Sequence, residues 1–161
     1  MSEVADYKVV RNSRMGSELT EEKAKLLAAK LGVRHLKDGE LLVREGEADQ
    51  TLFFLASGRL TVTSKDADGS DQVVYTMREG ECAGTRAFVE QSPRKATLRA
   101  VGAATVYTLT PADFELLLDA EPRLAFLVMR ALFRVTHANL SRMNQETRQL
   151  SNYINKTQGR Y

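Results

Sequence analysis

Apolar and polar positions fall into three regimes along this chain. Residues 1–17 show no period and read as a flexible N-terminal arm. Between Thr20 and Gly32 apolar positions recur at helical spacing, with Ala24, Leu27, Ala28 and Leu31 on one face. Thr20 ahead of Glu21-Glu22-Lys23 has the form of a helix start: a capping hydroxyl, then acids in the first turn. Gly32 is placed to end that helix. From Val33 to Pro111 short strands alternate with turns, at 40–43, 51–56, 59–64, 73–77, 96–101 and 105–110. Leu60, Val62 and Ser64 alternate with Arg59, Thr61 and Thr63, as in a half-buried strand. Glycines 39, 46, 58, 69, 80 and 84 punctuate the region; Ser57-Gly58 reads as a tight hairpin and Asp66–Ser70 as a looser one.

After Pro111 the helical period returns. Thr110-Pro111 supplies a cap and a proline at the first helical position. A second helix starts near Pro122 and runs to about Lys156, with no glycine or proline inside it. Its first half is apolar on more than one face. Its second half keeps one narrow stripe, Leu140, Met143, Thr147, Leu150 and Ile154, spaced three and four apart like a coiled-coil seam. The pattern predicts a mainly β fold with flanking α: a sandwich, jelly roll or barrel, an N-terminal helix, and two C-terminal helices, the last one long. The domain is expected over 18–145, with 146–161 extending the last helix as a possible coiled coil.

Composition narrows the function classes. A chain of 161 residues suits one domain with appended helices. The single cysteine, Cys82, excludes an internal disulfide and a cysteine-based zinc cluster. No apolar run approaches the ~18–20 residues of a membrane span, and the first residues lack a secretion pattern. A cytoplasmic location with no membrane partner is therefore expected. The net charge of +2 is unevenly spread: from Arg123 on, seven basic residues face one acid, Glu146, whereas residues 1–122 are net acidic. His35 and His137 lie far apart, so no metal site is expected. Asp66-Ala-Asp68-Gly69-Ser-Asp71 resembles half a calcium loop without its closing glutamate, and a hairpin explains it better. The sequence shows no nucleophile elbow, P-loop or metalloprotease motif, so no enzyme is expected.

The chemistry concentrates in Gly80–Phe88 and Pro93–Thr97. A glycine turn, a helical turn and an arginine before a strand together suit a phosphate. With Lys37-Asp-Gly39-Glu40, Glu45-Gly46-Glu47, Leu52–Leu55 and Ser57-Gly58-Arg59-Leu60, these segments resemble the cyclic nucleotide-binding domain family over roughly 18–145. The order of helix, eight or so strands and two helices is similar too, and the resemblance implies an antiparallel jelly-roll or β-roll sandwich. The resemblance implies a ligand, cAMP or cGMP, and no cofactor. It implies that Arg94 pairs with the phosphate, that amides around Arg86 and Ala87 cradle it, and that Thr97 is the small hydroxyl residue behind the arginine. Gly84, Lys95 and Ala96 complete the implied set.

The family carries a ribose-binding glutamate where this chain has Thr85, and a small or hydroxyl residue where it has Lys95. Glu81 stands too early to replace that glutamate. Losing a hydrogen bond to a charged group costs ~1.5–3 kcal/mol, roughly ten- to a hundred-fold in affinity. Arg86 and Lys95 leave open a more anionic ligand. Register on the long helix points to Thr136 and Asn139 as lid contacts.

Two functions follow from different readings. One is a regulatory ligand sensor whose C-terminal helices close over the nucleotide and which acts on an unknown effector protein. The other is a fold that has lost its ligand and serves as an interaction domain, dimerising through Leu140, Met143, Thr147, Leu150 and Ile154. A DNA-binding regulator is disfavoured, because no second turn-linked recognition helix follows the long helix.

Overall fold

The computed structural model describes residues 2–159. Elements run in the order α1 (Tyr7–Asn12), α2 (Glu21–Ala28), β1 (Gly32–Leu36), β2 (Leu41–Val43), β3 (Leu52–Lys65), β4 (Asp71–Met77), β5 (Cys82–Ala83), α3 (Thr85–Glu90), β6 (Thr97–Leu109), α4 (Pro111–Ala120) and α5 (Pro122–Gln158). The strands pair antiparallel in the order β1-β6-β3-β4, with β2 on β6 and β5 on β3. This is the mainly β, helix-flanked roll that the periodicity predicts.

Two long strands organise the roll, and their alternation builds two cores. Leu52 and Phe54 on β3, with Tyr107 and Leu109 on β6, face the helices and bury against Leu27, Leu117, Leu124 and Val128. Phe53, Leu55 and Leu60 point the other way, into the roll, with Met77, Leu98 and Val106. The helix starts obey their caps. Thr20 Oγ1 accepts from the Lys23 amide at 3.3 Å, and Thr110 Oγ1 from the Asp113 amide at 3.1 Å.

Four expectations need correction. Ser57-Gly58 is no hairpin: β3 runs straight through it, and two register shifts against β6 absorb the glycine, whose φ is +88°. Runs 96–101 and 105–110 merge likewise into β6, with Gly102 at φ +70°. Hence six strands are formed among the described residues rather than about eight. The helix meant to end at Gly32 ends at Ala28, and Gly32 opens β1.

Of the expected arm 1–17, Met1 lies outside the described residues, and the stretch from Ala5 to Met15 is packed on the domain. Asp6 caps α1 by accepting from the Lys8 amide at 2.8 Å, and Ala5, Val10 and Met15 are buried in the helix-side core. Those residues are five apart, a spacing that matches neither helix nor strand, so their burial comes from tertiary packing rather than from a local period. Arg14 N donates to Gly80 O at 3.0 Å, while the Glu18 carboxylate is shared by Arg130 and Arg134 of α5. Hydrogen bonds from Arg130 and Arg134 hold the Glu18 carboxyl below its ordinary range. The segment thus ties the turn before β5 to the long helix.

Candidate functional site

A cavity of about 290 Å³ opens beside the β5–α3 junction. Its floor is apolar, from Val43, Val62, Met77 and Leu98 of the roll. One wall is Glu81–Ala87, a second is Pro93–Ala96, and α5 adds Val135, Asn139 and Arg142. Arg14 and Tyr75 complete the rim.

Gly84 makes the first wall possible. It sits at φ +81° at the N-cap of α3, a conformation that L side chains rarely adopt. A Cβ there would also lie 2.9 Å from Thr51 O and would collide with Arg94 Nη1. The glycine therefore lets the chain turn and lets the guanidinium pass beneath it.

Arg94 is the central side chain. Its backbone is pinned by Arg94 N to Glu47 O at 2.9 Å and Gly46 N to Arg94 O at 2.8 Å. Its side chain is 3% exposed. Nη2 donates to Thr51 O and lies 3.4 Å from Asp49 Oδ2, Nη1 reaches Gly84 O at 3.5 Å, and the guanidinium stacks 4.8 Å from the Phe53 ring. Nε is buried without a partner. Burial pulls the Arg94 pKa down, and the Asp49 carboxylate opposes it. Burial also works against the charged form of Asp49, but hydrogen bonds from Thr51 and the Arg94 charge outweigh it and hold the carboxyl below its ordinary value.

Glu81 also lines the cavity, three positions ahead of Gly84. Its carboxylate is fully engaged: Tyr75 OH donates at 2.7 Å, the Arg78 amide at 3.2 Å, and Arg14 lies 3.6 Å away. It is a strut, not an open acceptor. Arg86 reaches along α3 to Glu90 at 2.9 Å. Lys95 is exposed and has no ion-pair partner among the described residues. Cys82 lines the cavity, and burial pushes its thiol up to about 12. Alkylation by iodoacetamide at pH 8 is expected to be slower in the folded protein than after unfolding in urea, because the half-buried thiol resists ionisation; equal rates before and after unfolding would refute that.

Of the residues singled out in the sequence, Gly84, Thr85, Arg86, Ala87, Arg94, Lys95, Ala96 and Asn139 surround this one cavity. Thr97 does not line it; its Oγ1 accepts from the Glu45 amide at 3.0 Å and ties β6 to the end of β2. Thr136 is exposed on α5 outside the lining. Periodicity gave no hint of Arg14, and Tyr75 and Arg142 reach the rim only through tertiary packing. Among the described residues no group of three or more His, Cys, Asp or Glu is placed to hold a metal. No described helix is long and apolar enough to cross a membrane.

Fold and cavity together define a class, and comparison with known proteins agrees. The profile of the cyclic nucleotide-binding domain matches residues 33–121, more than half the chain. The chain belongs to the cyclic nucleotide-binding domain family. It is 30% identical over 90 residues to human cGMP-dependent protein kinase 2, covering 55% of this chain and 12% of that protein. It is 30% identical over 109 residues to the cAMP-dependent protein kinase regulatory subunit of Debaryomyces hansenii, covering 68% of this chain and 23% of that one. The chain thus spans less than a quarter of the length of either relative. Among solved structures, Thermus thermophilus catabolite activator protein superposes with a TM-score of 0.77 at 22% identity, over 86% of this chain and 63% of the other. A cyclic nucleotide-binding domain from Methylobacillus flagellatus gives 0.78 at 17% identity, over 87% and 79%. At these identities the structural likeness establishes the fold.

Proposed function

We propose that this chain is a regulatory module that binds a cyclic nucleotide, or a related anionic small molecule, in the cavity between the Gly84–Ala87 turn, Arg94 and α5. The observation that carries the reading is Arg94: a buried guanidinium with an unpartnered Nε, lining a cavity with an apolar floor. An unpaired buried donor favours an anionic ligand, and the apolar floor suits a base. Since Val135, Asn139 and Arg142 belong to α5, a bound ligand touches that helix directly. Differential contact of this kind shifts the helix between positions and passes the signal to an effector protein. The proposal takes a ligand-binding role, not a catalytic one.

Thr85 gives the sharpest test. Thr85→Glu is expected to tighten cAMP or cGMP binding roughly ten- to a hundred-fold, because it restores a carboxylate acceptor where none is free. Isothermal titration of both nucleotides into wild type and variant measures it. Absence of binding in both proteins would reject a cyclic nucleotide as the ligand.

A second reading concerns assembly and rests on the surface of α5. Phe126, Phe133, Leu140, Met143, Leu150 and Ile154 are each 44–71% exposed and follow three- and four-residue spacing or its sum. This stripe starts further back than the sequence seam, and we infer that it pairs two copies into a homodimer, whether or not the cavity is occupied.

A further inference from the structure

We propose that the ligand of this cavity is a nucleotide carrying at least two negative charges, not a cyclic monoester with one. This inference rests on the proposed reading that the cavity takes a nucleotide, and it specifies the class. The cavity is bounded by five cations, Arg14, Arg86, Arg94, Lys95 and Arg142, and by one carboxylate, Glu81. Internal ion pairs account for three of the cations. Arg14 meets Glu81 at 3.6 Å, Arg86 meets Glu90 at 2.9 Å, and Arg94 meets Asp49 at 3.4 Å. Glu47 adds a weaker, more distant field at Arg94.

Lys95 and Arg142 remain. Among the described residues neither has a carboxylate within ion-pair distance, and Arg142 rests only 5.9 Å over the Tyr75 ring. They stand on different walls, Lys95 on the segment before β6 and Arg142 on α5. A cyclic phosphodiester brings one charge against these two unpaired cations, and so leaves one of them uncompensated. A phosphomonoester carries nearly two charges at neutral pH, and a diphosphate carries more. The acid that would repel such a ligand is missing, because position 85 is threonine and Glu81 is already held by Tyr75, Arg78 and Arg14. A ligand that spans Lys95 and Arg142 also joins the turn wall to the long helix. One ion-pair network then both fixes the ligand and draws α5 down.

The test is isothermal titration of the full chain with cAMP and cGMP, with 5′-AMP and 5′-GMP, and with ADP and GDP, at ~50 and ~200 mM salt. Diphosphates are expected to bind at least ~10-fold tighter than the cyclic monoesters, with the steeper loss at high salt. Lys95→Ala and Arg142→Ala, both at exposed positions, are each expected to shrink that ratio to within about threefold. Circular dichroism confirms that both variants are folded. Cyclic monoesters binding as tightly as the diphosphates, or a ratio that survives in both variants, would overturn the inference while leaving the cavity a nucleotide site. Failure of all six compounds up to millimolar concentration would instead overturn the nucleotide reading itself, and this inference with it.

Discussion

Arg94→Ala is expected to lower the unfolding free energy by about 2–4 kcal/mol as well as to abolish ligand binding. Breaking a fully buried ion pair costs about 3–5 kcal/mol. The figure is reduced here because the Asp49 side chain is 37% exposed and partly screened by water. Truncation leaves Thr51 O without its guanidinium donor, removes the cation over Phe53, and opens a void under Gly84. Arg94→Lys keeps the charge but not the fork, and is expected to fall between the two. Urea denaturation of the three proteins measures the series.

The pH dependence has a defined sign. The Asp49 carboxyl titrates below its ordinary 3.8 in the folded protein. Its contribution is therefore complete above that value and is lost as pH falls through the folded pKa. The stability gap between wild type and Arg94→Ala is expected to narrow as pH falls from 5 towards 3. A gap that is constant with pH would show that the pair with Asp49 contributes nothing.

Combining Leu140→Glu with Leu150→Glu is expected to convert the proposed dimer to a monomer and to melt the distal half of α5. Every residue from 136 to 159 is exposed in the single chain, so little apolar burial within one copy holds that stretch helical. Isolated helices of this length are marginal in water. In the proposed dimer, pairing through Phe133, Leu140, Met143, Leu150 and Ile154, all exposed in the single chain, would supply that burial. Thr147 interrupts the apolar run but returns its hydroxyl to Met143 O at 2.9 Å, so it enters the seam with that group satisfied. Losing two leucines from each of two chains removes about 6–12 kcal/mol of burial, at about 1.5–3 kcal/mol per side chain. That weakens association by ~10⁴-fold or more. Sedimentation equilibrium reads the mass, and far-ultraviolet circular dichroism reads the helix. An unchanged mass for the double variant would place the subunit contact elsewhere, or show that there is none.

The strength of each sequence signal tracks how local its physics is. Caps at Thr20 and Thr110 act within four residues, and both helix starts were legible. The long C-terminal helix was legible because periodicity accumulates over many residues. Ser57-Gly58 misled because positive φ serves a bulge as well as a turn, and only the partner strand decides between them. The N-terminal segment was invisible because Ala5, Val10 and Met15 are buried by neighbours distant in sequence. The same division runs through the cavity. Gly84 to Ala87 and Arg94 to Ala96 are contiguous motifs, and both segments reach the same cavity. Glu81 was set aside by counting positions along the chain, and Arg14 and Arg142 come from opposite ends of it. No spacing rule joins residues that only the closed roll brings together.

The long helix is also a mechanical element. It is unbroken from Pro122 to Gln158, without a proline or glycine inside to act as a joint. Its cavity contacts end at Arg142, while Ile154 lies twelve residues further on. At 1.5 Å per residue, the arm from Val135, where α5 first meets the cavity, to Gln158 is about 35 Å long. A tilt of about 5° where the helix meets the cavity displaces its tip by about 3 Å, enough to misalign a side chain from its socket in a partner helix. Under the proposed ligand-binding role, a small ligand-driven displacement at the short end of the shaft becomes a larger one at its far end.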